Sequence, residues 1–349
     1  MHLVCDTLKS KIKYIIAAVL LIAVLAGSLA VYKILGPGVS PDDDAAVLYI
    51  PTGSSYEQVL KIIDSNLKIE NPSLFEWTAR KKHYPDHIRP GKYIIKKDIS
   101  YNALVNMLRS GRQVPVNVTF NNIRTLNQLA GKIGSEIEAD SVEILNFLED
   151  PANYSSDGFN RATIISLFIP NTYELYWSYD AKELYERMLK EYHAFWNNKR
   201  MAEARDEGLT PIEVSILASI IDDEVVKPDE KPRIAGVYLN RLKRGMPLQA
   251  CPTIKFALND FTITRILKKY LQVDSPYNTY RHKGFPPGPI ACPSVEGIEA
   301  VLHAEKNDFL YFAAKPDFSG YHNFSRTLAE HNHYAALYQK ELDRRKIFR

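Results

Sequence analysis

Residues 14–32, YIIAAVLLIAVLAGSLAVY, form an almost uninterrupted apolar run, and this run constrains where the rest of the chain can fold. As a helix rising about 1.5 Å per residue it reaches roughly 28 Å, close to the hydrocarbon thickness of a bilayer. Lys9, Lys11 and Lys13 precede it, and only Lys33 follows immediately. That asymmetry predicts a cytoplasmic N-terminus, with everything after residue 33 on the outer side of the membrane. The run is too long for the apolar core of a cleaved signal peptide, and its small residues, Ala26–Ser28, lie inside it. The expected division is a cytoplasmic tail over 1–13, a transmembrane anchor over 14–32, and a solvated linker over 33–45, where Gly, Pro and three consecutive Asp occur.

The chain has 349 residues, enough for two or three domains with a sizeable core. Its formal net charge of +3, without a long basic run, gives no reason to expect a nucleic-acid partner. Cys5 falls in the tail, whereas Cys251 and Cys292 would face an oxidising compartment. No CxxC pair occurs and no His residues stand at metal-ligand spacing, so neither a metal nor a cofactor is expected.

After the linker the pattern reads strand, helix, helix, strand. Val47–Ile50 is a short strand. Ser54 or Ser55, with Glu57 or Gln58, opens a helix through a capping box. Asn71-Pro72 opens a second helix, and Lys92–Ile95 is a strand after the Pro90-Gly91 turn. Helices are predicted over 101–110, 125–137, 141–149, 181–198, 210–227 and 231–244, and a strand over 114–120. There is no βαβ series and no Gly-rich phosphate loop, so the fold class is α+β.

One segment carries a concentration of acid. Residues 218–230 read ASIIDDEVVKPDE. Thr210, Pro211 and Glu213 supply an N-cap, a first-turn proline and the closing residue of a capping box. At 100° per residue, Leu217, Ile220, Ile221 and Glu224 fall at i, i+3, i+4 and i+7, which puts Glu224 on the apolar stripe. Asp222 is about 160° away and is expected to meet water, while Asp223 is about 100° away on a flank. A carboxyl on an apolar face loses hydration and its pKa rises, which suits it to donate a proton near neutrality. The bland alternative is that Glu224 snorkels, or pairs with Arg233 or Arg241.

The downstream motifs carry a resemblance. ASII-x-x-E, VYLNRL, MPLQ-x-x-PT, YNTY, PPGPI and HNF at 322–324, in that order behind a single anchor, resemble the endolytic murein transglycosylase family (MltG, YceG-like). The resemblance implies a LysM-like module over 46–112 and a catalytic domain over 113–349. It implies a bacterial inner-membrane protein that cuts the MurNAc-β-1,4-GlcNAc bond of peptidoglycan glycan strands without water, leaving 1,6-anhydro ends and terminating nascent strands. Peptidoglycan synthases are the protein partners it suggests. Glu224 matches the family's catalytic acid, and Gln249, Asn278, Thr279 and Tyr280 fall in segments expected to bind sugar, unless their hydrogen bonds stay within the loops.

Two positions depart from the family, with Asp222 standing for Glu and Cys251 for Asp. Cys251 and Cys292, both in Ala-Cys-Pro contexts and both unusual for the family, are candidates for a disulfide, the alternative being two free buried thiols. Tyr173, Tyr176 and Trp177 are read as aromatic core in preference to a sugar-stacking platform. His322 and His331 are read as structural hydrogen-bonders. The competing function is a membrane-tethered glycan-binding or scaffold protein that does not cut.

Overall fold

The structure, a computed structural model, describes residues 2–347, with side chains from residue 13 onward. Helix α1 (His2–Leu35) runs unbroken through the apolar stretch, and its Lys13–Leu35 portion is long and apolar enough to cross a membrane. The chain divides into two compact units, one of residues 1–116 with 174–178, the other of 117–173 and 179–349. Together they make a mixed α+β fold.

The first unit contains, in order, β1 (Val39–Ser40), β2 (Ala45–Ile50), α2 (Tyr56–Asn66), β3 (Lys68–Ile69), α3 (Pro72–Lys81), β4 (Gly91–Lys96) and α4 (Tyr101–Ser110). The expected strand-helix-helix-strand order is present, with β2 antiparallel to β4 and Leu48 opposite Tyr93. Strand alternation turns Leu48, Ile50, Tyr93 and Ile95 inward, where all four are fully buried against the helices. The helix starts obey their local signals. Ser55 accepts from the Gln58 N–H while the Gln58 side chain accepts from the Ser55 N–H, Asn71 caps α3, and Gly111 ends α4 in the left-handed region.

Residues 33–45 are not simply a solvated linker. β1 pairs with β3, Val39 is buried, and the Ser40 hydroxyl donates to the Asp98 carboxylate at 3.1 Å. Gly38 permits this approach, because a Cβ there would lie 2.7 Å from the Tyr101 ring. The Gly, Pro and Asp content masked one apolar residue that belongs to the core. Asp42, Asp43 and Asp44 are exposed, as expected.

The second unit begins with β5 (Val116–Phe120), α5 (Leu126–Gly134) and α6 (Ser141–Glu149), then three short 3-10 turns lead to β6 (Asn171–Leu175), which pairs with β5. α7 (Ala181–Phe195) buries Leu184, Met188 and Tyr192 as its periodicity requires. α8 (Asn198–Asp206), α9 (Pro211–Glu224), α10 (Lys231–Lys243), α11 (Cys251–Ala257) and α12 (Val295–Leu302) follow, then a hairpin of β7 (Tyr311–Ala314) and β8 (His322–Ser325) covered by α13 (Leu328–Arg344). α9 lies at the centre, packed by α10, α11 and α12. α11 was expected to be loop. Pro252 reads as a breaker in sequence, but it sits in the first turn, where a missing N–H costs nothing.

Ser219, fully buried in α9, joins the centre to the PPGPI loop. Its hydroxyl donates to the Ile216 carbonyl and accepts the Ile290 N–H at 3.1 Å. Ser219→Ala strands that buried N–H, for an expected loss of about 1–3 kcal/mol. In thermal denaturation of the full-length protein in detergent, an unchanged midpoint would refute this assignment.

Candidate functional site

α9 starts on the capping box read from its sequence: Thr210 accepts from the Glu213 N–H, and the Glu213 carboxylate accepts from the Thr210 N–H. Every residue from Val214 to Ile221 is buried, so the helix has no wet face. It ends at Glu224, three residues before the expected stop. Val225 is already extended, at φ −121° and ψ 120°, and Pro228 belongs to a separate 3-10 turn.

The last turn carries the three consecutive acids, and each has a different environment. Asp222, expected to be solvated, is only partly exposed and is taken up by partners. It pairs with Lys231 at 2.9 Å and accepts from both the backbone N–H (2.7 Å) and the hydroxyl (2.8 Å) of Ser294, the N-cap of α12. The face argument assumed a solvated far side, but α12 occupies it. Lys231, itself buried, also reaches Glu296 at 2.7 Å. Asp223 pairs with Arg124 at 2.5 Å, and the Arg124 guanidinium lies over the Phe261 ring at 4.7 Å. A cavity of about 300 Å³ opens on this side of the helix end, lined among others by Asn121, Asn122, Arg124, Asp223 and Lys231.

Glu224 is the exception. No hydrogen bond or ion pair from the described residues holds its carboxyl. Arg233 is engaged by Glu305, and Arg241 by Gln249 and the Pro247 and Leu310 carbonyls, so neither candidate partner takes it. Burial is the main force on its pKa, and the neighbouring Asp223 charge adds to it. Lys255 on α11 opposes both, and the result is a carboxyl pushed up from 4.5 to about 7. The position at a helix C-terminus disfavours the anion in the same sense.

The segments expected to bind sugar hold the loops together. Asn278 is fully buried, donating to the Leu271 and Val273 carbonyls and accepting from the Tyr280 N–H. Thr279, also buried, accepts the Ala250 N–H and pairs with the Thr253 hydroxyl. Gln249 is exposed, with a left-handed φ of 54°, but its side-chain oxygen is taken by Arg241. Tyr280 contacts the Cys251 thiol at 3.2 Å.

The candidate Cys251–Cys292 bridge is not formed, and both are free thiols. Cys251 faces Tyr280, whereas Cys292 faces the Ile165 carbonyl at 3.9 Å and lines the cavity beside Asp222. Sharing an Ala-Cys-Pro context did not bring them to one place. Burial, with the Glu224 charge beside it, pushes the Cys251 thiol up to about 11.

Tyr173 is core, stacked on Phe120 at 5.4 Å, and Trp177 packs on Tyr49 at 4.9 Å, while Tyr176 is half exposed. His322 behaves as expected, its ring 2.8 Å from the Glu230 carboxylate, which also accepts its N–H. His331 does not. It stacks on Tyr311, and its buried Nδ1 has no hydrogen-bond partner among the described residues.

Sequence reasoning missed Arg124, Lys231, Lys255 and Tyr238. Tyr238, on α10, is buried with its hydroxyl unpaired, and Glu224 is the first charge to bear on it. Its place in VYLNRL was the available signal. Arg124 lies far from the acid segment and Lys255 on an unrecognised helix, whereas Lys231 directly follows that segment, at the start of a predicted helix.

The YceG-like family profile matches residues 48–336. The chain is similar to the endolytic murein transglycosylase of Bacillus subtilis, 29% identical over 326 residues that cover 88% of this chain and 89% of that protein. It is similar to the protein of the same name from Streptococcus pneumoniae R6, 26% identical over 338 residues, spanning 61% of that protein's length. The crystal structure of a yceG-like protein from Listeria monocytogenes superposes with a TM-score of 0.55 at 28% identity, covering 83% of this chain and 98% of that one. With the profile matched over most of its length, this chain belongs to the YceG-like family.

Proposed function

We propose that this protein is a membrane-anchored lytic transglycosylase of peptidoglycan, a lyase of cell-wall glycan, with Glu224 as its acid. The observation that carries the reading is a carboxyl with no protein partner, raised to about 7, at the end of a helix buried on all sides. The names of the relatives supply the substrate class. A carboxyl left at 4.5 would be protonated in about one molecule in three hundred at pH 7, against about half for one at 7.

The chemistry needs one cycling proton. Protonated Glu224 gives its proton to the glycosidic oxygen, and the leaving N-acetylglucosamine departs with it. The N-acetyl oxygen of the muramic acid supports C1 as the bond breaks. Glu224, now a carboxylate, takes the proton of the C6 hydroxyl as that oxygen bonds to C1. A 1,6-anhydro ring closes, Glu224 is protonated again, and no water is consumed. Tyr238 and Lys255 are the groups placed to act on the charge of Glu224 through the cycle.

The remaining parts fit this reading. α1 is read as the anchor, with the N-terminus cytoplasmic and both units outside the inner membrane, a reading supported by the lysines before the apolar run. The strand-helix-helix-strand segment is the LysM-like glycan-holding module, supported by its element order and antiparallel outer strands. Acting from the membrane surface, the enzyme would end nascent strands beside the synthases that extend them. A scaffold that does not cut has no observation in its favour, since a structural carboxyl would be paired.

Glu224→Gln keeps shape but cannot cycle a proton. It is expected to fold normally and to lose anhydro-product formation by at least about 10²–10⁴. Retained turnover on purified glycan strands would remove Glu224 from the mechanism. The pH profile has a defined sign. Because the free enzyme must hold the proton, kcat/KM should fall as pH rises through about 7. An alkaline limb displaced by two units or more would contradict this environment. Products formed in heavy-oxygen water should carry no label at their new ends, and labelled reducing ends would mean hydrolysis.

A further inference from the structure

A groove of about 450 Å³ lies between the outer end of α1 and the beginning of α3, both in the first unit. Ala30 and Ile34 of α1 form one wall. Asn71, Ser73, Leu74 and Trp77 form the other. Trp77 is 50% exposed, a large apolar ring left outside the core of its unit. The Lys81 amine, one turn on, stands 5.8 Å from the Trp77 ring, and no carboxylate pairs with it among the described residues.

We propose that this groove is a lipid-contact surface that seats the first unit on the outer leaflet, with Trp77 and Lys81 as its interfacial anchors. The proposal rests on the reading of α1 as a membrane-spanning helix. A hydrocarbon core of about 30 Å is crossed by roughly 20 helical residues. Counted from Tyr14, the outer boundary then falls beside Lys33. Ala30 lies just inside that boundary and Ile34 just outside it, so the groove straddles the level of the acyl esters and headgroups.

Whatever fills a groove walled by the end of a membrane helix is what surrounds that helix end, namely lipid. An indole, apolar in body with one polar N–H, suits this level. A lysine beside it extends its amine to the phosphates. The seat is not slack. The Gly36 N–H closes on the Tyr32 carbonyl at 2.7 Å, and Val39, only three residues on, is already buried in the unit.

The test uses the full-length protein in phosphatidylethanolamine–phosphatidylglycerol vesicles. The emission difference between wild type and Trp77→Phe isolates the Trp77 signal. Lipids brominated near the ester end of the acyl chain should quench most of that difference. Lipids brominated near the chain terminus should quench it several-fold less, as should acrylamide in the water. Full quenching by acrylamide with no response to brominated lipid would put Trp77 in water and overturn the proposal. Quenching by neither would mean a protein cover, such as a second copy, and overturn it equally. Lys81→Glu should raise acrylamide access to Trp77, and unchanged access would remove Lys81 from the seat. Retention on vesicles after an alkaline wash reports separately on α1, so failure of the anchor is distinguishable from failure of the seat.

Discussion

The protein turns on one unfavourable burial, a partly buried glutamate at the end of a helix whose carboxyl no other described residue pairs. Such a group costs free energy unless it stays protonated, and the surroundings of Glu224 push it that way. The helix has to be held firmly for the enclosure to persist. Its first turn is fixed by the reciprocal Thr210–Glu213 bonds, its middle by Ser219 reaching Ile290, and its last turn by Asp222 on the N-cap of α12. Three neighbouring acids thus divide the labour. One ties two helices together, one holds an arginine at the cavity, and one is left unpaired.

Much of this was legible in the sequence, for reasons that can be named. Caps and first-turn prolines act over three or four residues, so Ser55, Asn71, Thr125 and Thr210 start their helices where their signals stand. The 3.6 period aligns Glu224 with Leu217 and Ile221, but with Val214–Ile221 buried all round the helix has no separate apolar stripe. The same period misjudged Asp222, because an angle around a helix says which residues share a face and not what covers the opposite one. Partners of sequence separation 72, such as Asp222 and Ser294, leave no local trace.

The polar motifs of the loops teach a related lesson. YNTY and the glutamine of MPLQ have residue types that suit a sugar, yet Asn278 and Thr279 are consumed by backbone groups and Gln249 is held by Arg241. Loops poor in regular hydrogen bonding must satisfy their buried amides by side chains, and these residues do so. Arg124 stands at the cavity, and the Tyr238 hydroxyl is buried without a partner among the described residues.

The first unit is not continuous in the chain, which leaves it within β5 and comes back for residues 174–178. Three covalent crossings, at 116/117, 173/174 and 178/179, therefore join the units where a tandem arrangement would have one. During synthesis the N-terminal helix is made first, but the unit next to it stays incomplete until part of the second unit has also been made. The order of synthesis and the order of folding thus part company at the fifth strand.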